Sequence, residues 1–224
     1  MIIFDKVTKK YGNSIAAEGI SFKVDTGEFI FLVGASGAGK TTILKLINRE
    51  ILPTHGAVFV DDWEVDKLPK SKLPFLRRKV GFIFQDFKLL QDRTVAENIA
   101  VSLEILGRGN SDIDGRIREV LKIIQLPDKS QYFPKQLSLG EQQRVAIGRA
   151  VAGETEIILA DEPTGNLDPK TSWDILKIIN DINKQGKTVI MASHNVDIVD
   201  SMKKRVIEMN KGKIVRDQKK SKYS

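Results

Sequence analysis

Four short runs of nearly unbroken apolar, β-prone residues recur along the chain, at 29–33, 80–84, 157–160 and 188–192, each closing on glycine or polar residues. A strand without polar alternation is buried on both faces, as in a parallel sheet covered by helices. Stretches with apolar residues at helical spacing occupy 41–48, 117–125, 141–151 and 171–183. This strand and helix alternation predicts an α/β fold. The flanks differ from the middle. Residues 2–33 and 204–217 carry strand-like segments with no helix between them, whereas 87–153 carries no buried strand and reads as a helical insertion. Only 218–224 reads as a loose polar tail.

At 224 residues and 41% hydrophobic content the chain can bury a full core. Cysteine is absent, which excludes disulfides, a thiolate nucleophile and a cysteine-ligated zinc site. The first residues lack the apolar stretch of a signal peptide, and no apolar run approaches the roughly 20 residues that span a bilayer. Any membrane role is therefore expected to be peripheral. The net charge of +7 is partly clustered, at Lys67, Lys70, Lys72, Arg77, Arg78 and Lys79, and again at Lys203, Lys204, Arg205, Lys219, Lys220 and Lys222. Such runs suit a solvated face, an anionic membrane surface or nucleic acid, in that order; no aromatic-studded RNA motif accompanies them.

Gly34-Ala35-Ser36-Gly37-Ala38-Gly39-Lys40-Thr41 follows the strand at 29–33 and opens the helical stretch at 41–48, fitting G-x-x-x-x-G-K-[ST] in its required context. Glycines let successive backbone N–H groups converge on one concavity, and the helix N-terminus adds its positive end, so fixed dipoles hold phosphate oxygens. Lys40 supplies a full charge for the β- and γ-phosphates of ATP, and the Thr41 hydroxyl a position on Mg²⁺. The apolar run 157–160 ends in Asp161, Glu162 and Pro163. Ligands gather at the carboxyl ends of strands in open α/β sheets, so these acids belong beside the phosphates. Neighbouring residues of a strand point opposite ways, so the two carboxylates take different roles unless the chain turns at Ala160. Asp161 is expected to bind Mg²⁺ through water, and Glu162 to orient and polarise the attacking water as general base.

Leu137-Ser138-Leu139-Gly140-Glu141-Gln142-Gln143-Arg144, upstream of the acids, and Asn166-Leu167-Asp168 after them, resemble the signature, Walker B and D-loop of ABC ATPases. Gln85 and His194 match that family's Q-loop and H-loop, and the resemblance covers essentially the whole chain. It implies a P-loop NTPase (RecA-like) core over 1–86 and 154–217, with an N-terminal antiparallel β subdomain and an inserted helical subdomain over 87–153. It also implies that Thr42 joins the nucleotide contacts, that Gln85 and His194 meet the γ-phosphate, and that Gln85 shares Mg²⁺ with Thr41 and Asp161. Tyr11 resembles the aromatic that stacks on adenine. Ser138, Gly140, Glu141 and Asp168 would face the nucleotide of a second copy, in an ATP-dependent head-to-tail homodimer. Ser138 and Glu141 also form a helix-capping pattern.

Where the family usually carries glycine, this chain has Leu139. If that backbone needs φ > 0, or lies close to phosphate, leucine is a cost, and Leu139→Gly should raise activity or dimerisation. Residues 85–98, together with 179–183 and Arg216, Asp217 and Tyr223, are similar to the cell-division branch of the family. That resemblance implies an integral membrane partner on the inner face of the cytoplasmic membrane and transmembrane control of cell-wall hydrolases. A partner helix docked near 86–98 would meet Phe87, Leu89 and Leu90. Lipoprotein-release or macrolide-efflux systems share these motifs. A soluble nucleic-acid-associated ATPase fits poorly, since neither a second P-loop nor a sustained heptad run is present.

Overall fold

The computed structural model describes residues 1–218. Along the chain lie β1 (Ile2–Tyr11), β2 (Ser14–Val24), β3 (Phe29–Val33), α1 (Lys40–Ile47), β4 (His55–Val60), β5 (Trp63–Glu64), α2 (Leu73–Lys79), β6 (Val80–Ile83), α3 (Val95–Ile105), α4 (Asn110–Ile123), α5 (Leu139–Val151), β7 (Ile157–Asp161), α6 (Pro169–Lys184), β8 (Thr188–Ser193), α7 (Val196–Met202), β9 (Arg205–Asn210) and β10 (Lys213–Gln218). A six-stranded sheet has the order β10-β9-β3-β8-β7-β6, and a four-stranded sheet the order β2-β1-β4-β5. The smaller sheet is antiparallel throughout, and in the larger only the β9–β10 pair is.

The apolar runs are explained by two cores, one on each face of the large sheet. Phe29, Phe31 and Val33 point with Ile158, Ala160 and Met191 into a core shared with α3, α4, α5, α6 and α7. Ile30 and Leu32 point with Leu159, Ile190 and Ile207 into a second core, filled by α1 and the small sheet. Alternation along each strand thus feeds both layers, so no position of β3 can be polar.

Capping side chains set the helix starts. Thr94 and Glu97 form a reciprocal capping box on α3, and Ser138 and Glu141 another on α5. Asp168 caps α6, with Pro169 at its first position. The helix expected at 117–125 begins seven residues earlier, at Asn110, because its polar first turns hide the apolar period. Two short helices, α2 and α7, were not anticipated; α2 lies inside the first basic cluster. Gln218 ends β10 rather than opening a loose tail, and the remainder of that polar segment, with Lys219, Lys220, Lys222 and Tyr223, lies outside the described residues. No helix among the described residues is long and apolar enough to cross a membrane.

Candidate active site

Strand register gathers the candidate groups at one end of the sheet. Val33 pairs with Ser193, Asp161 with Ala192 and Ile83 with Ala160, so the chain leaves β3, β8, β7 and β6 side by side. Gly34 to Thr41, His194, Glu162 and Gln85 are the residues that follow.

The glycine loop depends on backbone freedom at defined places. Gly34 has φ 143° and Gly39 φ 106°, and a methyl carbon at either would lie 2.2 Å from the Met209 carbonyl or 2.3 Å from that of Ala16. Gly37 has φ 76° with nothing within 4 Å, so it needs the conformation but not the space. Ala35, Ser36 and Gly37 are exposed, whereas Ala38 is buried beneath them. Gly39 caps α1 without a side-chain hydrogen bond, which leaves the first N–H groups of that eight-residue helix to an incoming acceptor.

Lys40 is 5% exposed; its Nζ donates to the carbonyls of Gly34 at 2.8 Å and Ala35 at 3.2 Å, and lies 3.3 Å from Glu162 Oε1. Glu162 Oε2 is 2.9 Å from His194 Nδ1. Lys40, Glu162 and His194 therefore form a chain of polar contacts along the loop. The turn that lets two adjacent acids serve one site comes at Glu162 itself, two residues after Ala160. There φ is 46°, and the Glu162 N–H donates to the Ala192 carbonyl at 3.1 Å. A non-glycine residue in the left-handed region is strained by about 1–2 kcal/mol and persists only where its surroundings hold it. A cavity of about 200 Å³, lined by Glu162, His194, Trp173 and Asp197, opens beside this turn.

Asp161 faces the other way along the loop, with the Thr41 hydroxyl donating to Oδ1 at 3.0 Å. Burial pushes the Asp161 carboxyl above its usual range, and the charge of Glu162 adds to this; the Thr41 hydroxyl, Lys40 and Lys45 act against it. A carboxylate so placed has a deficit of positive charge. One carboxylate and one hydroxyl beside a phosphate cradle is a donor set that suits Mg²⁺, which keeps waters and phosphates as its other ligands. The residues present therefore fit Mg·ATP. Thr42 is half-buried behind Thr41.

Gln85 is exposed, and its Nε2 is 3.4 Å from the point where a methyl would sit on Gly165, just past Glu162. The hydrogen bond between Thr41 and Asp161 does not extend to Gln85. Tyr11 ends β1 half-exposed, with Lys9 Nζ 4.9 Å from its ring centroid.

Ser138, Gly140, Glu141 and Asp168 make a second group. The Glu141 N–H donates to Ser138 Oγ at 3.3 Å, and the Ser138 N–H and hydroxyl donate to Glu141 Oε2 at 2.9 and 3.0 Å. Those bonds, led by the backbone one, hold the Glu141 carboxyl below its usual range. Asp168 Oδ1 accepts from the Thr171 N–H at 3.0 Å. A methyl on Gly140 would come within 2.4 Å of Thr171 Cγ2, so this glycine is required by close packing of α5 on α6. Leu139 is the first residue of α5, is not in the left-handed region and is 53% exposed. The backbone reason for a glycine there is removed; only side-chain crowding of an approaching phosphate remains.

Two expectations about surfaces are corrected. Leu89 is buried and Phe87 packs against the helical core, leaving Leu90 as the exposed one of the three expected docking residues. Instead a groove of about 610 Å³ runs between α2, β6 and the ends of α3 and α5, floored by Leu73, Phe82, Phe84 and Ile105. Lys70, Arg77, Arg78, Lys88 and Arg149 border it, so the first basic cluster is in part the rim of an apolar groove. One further member of that cluster and one of the second are neutralised within the fold. Lys79 pairs with Asp61 and Glu156, and Arg205 with Glu28 and Asp217.

The ABC transporter family matches residues 17–165. The chain is 48% identical over 224 residues, 100% of its own length and 98% of the relative's, to the cell division ATP-binding protein FtsE of Bacillus subtilis. It is 44% identical to the protein of that name in Escherichia coli, covering 95% of this chain and 96% of that one. Among solved structures, a dimeric post-hydrolysis state of the ATP-binding cassette MJ0796 bound to ADP and Pi superposes with TM-score 0.89 at 35% identity, covering 100% of both chains. With the glycine cradle and paired acids at one end of the large sheet and the capped signature-like turn as a separate group on the helical layer, the chain belongs to the ABC transporter family, in the company of the FtsE cell division ATP-binding proteins.

Proposed function

We propose that this chain hydrolyses ATP as the nucleotide-binding subunit of an FtsE-type membrane complex that acts in cell division. The observation that carries the reading is the contact chain Lys40–Glu162–His194 lying along an open glycine cradle. Backbone N–H groups of 34–41 hold the triphosphate, and Lys40, already aimed by two loop carbonyls, exchanges those for phosphate oxygens. Mg²⁺, held by Thr41 and, through water, Asp161, with Gln85 as a further candidate, supplies charge neutralisation to the phosphates when bound. Glu162 accepts a hydrogen bond from the attacking water and takes its proton as the bond to the γ-phosphorus forms and the bond to the β–γ bridging oxygen breaks, releasing ADP. His194 holds the Glu162 carboxylate in place and meets the γ-phosphate. Tyr11 stacks on the adenine. Ser138, Gly140, Glu141 and Asp168 meet the nucleotide of a second copy, a reading supported by their place at the two capped N-termini of α5 and α6.

An integral membrane partner of FtsX type is the occupant of the basic-rimmed groove beside Phe84 and Lys88, which puts the chain on the inner face of the cytoplasmic membrane. No nucleic acid is required. Glu162→Gln tests the chemistry: phosphate release should fall about 10²–10⁴-fold while ATP binding persists. Hydrolysis at the wild-type rate would remove Glu162 from its role. Affinity capture from detergent-solubilised membranes should recover a multi-span protein with a large extracytoplasmic domain; recovery of a solute permease would replace the division reading with transport.

A further inference from the structure

The segment joining β6 to α3 is built by two polar side chains from the helical layer. Fully buried Asn98 accepts from the Leu90 N–H at 2.9 Å and donates to the carbonyls of Leu90, Arg93 and Thr94 at 3.0, 3.1 and 3.0 Å. Arg149, near the end of α5, donates from its two terminal nitrogens to the carbonyls of Lys88 at 2.6 Å and Phe87 at 2.8 Å. Phe87 and Lys88 are consecutive left-handed residues, with φ 58° and 47°. Two bulky residues keep that conformation only when their surroundings hold it. The planar guanidinium, with donors at fixed spacing, can hold two successive carbonyls where a flexible ammonium holds one.

Arg149 has no carboxylate in ion-pair contact among the described residues, and burial alone acts on its ionisation, pushing the pKa down. Arg149 is partly buried, and a desolvated cation without a counter-ion is costly, so the two carbonyl bonds offset part of that cost. Both anchors of the segment thus sit in the helical layer, while Lys40 opens α1, Asp161 ends β7 in the large sheet and Glu162 follows it. Gln85 lies between, its side chain against Gly165 beside Glu162.

We propose that Arg149 is a positioning residue for ATP hydrolysis: by holding Phe87 and Lys88 it makes the Gln85 segment travel with α5, whose opposite end carries Ser138. At about 1.5 Å per residue the helix is a strut of about 20 Å. Gln85 and the signature-like turn then keep one spacing as they close on nucleotide. This rests on the ATPase reading above.

The test uses the full chain as wild type, Arg149→Ala, Arg149→Lys and Gln85→Ala, measuring kcat, KM, ATP affinity and amide exchange at 86–94. Arg149→Ala should lower kcat about tenfold to a hundredfold, as small misplacements near a reacting group do, with ATP affinity unchanged because the cradle is untouched. Methylguanidinium, entering from the groove that Arg149 lines, should restore part of the loss in Arg149→Ala and none in Gln85→Ala. Arg149→Lys should fall between, and exchange should quicken at 86–89 but not at 91–94, which Asn98 holds. An unchanged kcat in either Arg149 variant overturns the proposal. So does a loss that tracks melting temperature alone, with no response to methylguanidinium or lysine and exchange quickened throughout. If Arg149→Ala does not fold, Arg149→Lys and its exchange pattern decide. A wild type with no ATPase activity while Arg149→Ala still quickens exchange at 86–89 alone would fault the ATPase reading and leave the anchor standing.

Discussion

Replacing Gly34 with alanine puts a methyl group where the backbone of β9 already stands. Its carbon would lie 2.2 Å from the Met209 carbonyl oxygen and 3.1 Å from Ala38 Cβ, and φ 143° is a conformation L-residues rarely adopt. The crowding partner is a carbonyl inside the central sheet, paired alongside β3, so it cannot swing aside as a side-chain tip could. Overpacking of this kind costs about 1–3 kcal/mol, and the backbone strain about as much again. For a domain of this size each kcal/mol lowers Tm by about 2–4 °C, so Gly34→Ala should melt about 5–20 °C early. Gly37→Ala, three residues on, is the control. With φ 76° but nothing within 4 Å, it carries the strain alone, about 1–2 kcal/mol. Its Tm should fall only a few degrees, while ATP affinity drops because the methyl sits on the exposed, phosphate-facing side of the loop. Calorimetric melting with nucleotide titration on both variants separates the effects. Equal Tm losses would refute the steric account, and unchanged ATP affinity in Gly37→Ala would refute the cradle.

Asp161→Asn should raise the stability of the nucleotide-free protein at neutral pH while abolishing metal-dependent ATP binding. Because burial raises the folded-state value, the native chain binds that proton more tightly than the unfolded chain, so stability declines as pH rises through the window between unfolded and folded values. The asparagine variant should lose that part of the pH dependence in urea melts; a variant less stable than wild type at pH 7 would contradict the sign. Asn98→Ala strands several buried backbone groups and should cost about 3 kcal/mol or more, with amide exchange quickened at 90–94. Protection unchanged there would show that water replaces the amide. Leu139→Gly should increase ATP-dependent dimerisation in light scattering by removing an exposed side chain at the first turn of α5; no increase would show that leucine is accommodated.

Much of this was legible in the chain itself. The runs at 29–33, 157–160 and 188–192 report strands buried on two faces, because where both layers are apolar a polar side chain such as Thr188 is kept only at the strand's end, where the Gly27 N–H donates to it. The spacing of glycines before Lys40 and Thr41 reports the cradle, because glycine reaches those φ values without strain. Local rules likewise disclose Ser138 as a cap, whereas the cap that Asp168 places on α6 emerged only in the structure. The α4 start was hidden because its first turns are solvated and carry no period. The pairing of Glu162 with Lys40 and His194 was decided by a hydrogen bond to Ala192, a residue distant in sequence, which bends the chain into a conformation glutamate does not choose unaided. Leu89 and Phe87 went inward because α3 and α5 offered them a core. Arg149 found its carbonyls 61 and 62 residues away, and the groove with its basic rim exists only where α2, β6 and α5 converge. Period and turn chemistry are properties of neighbours along the chain; burial, strain and charge pairing depend on which distant surfaces meet.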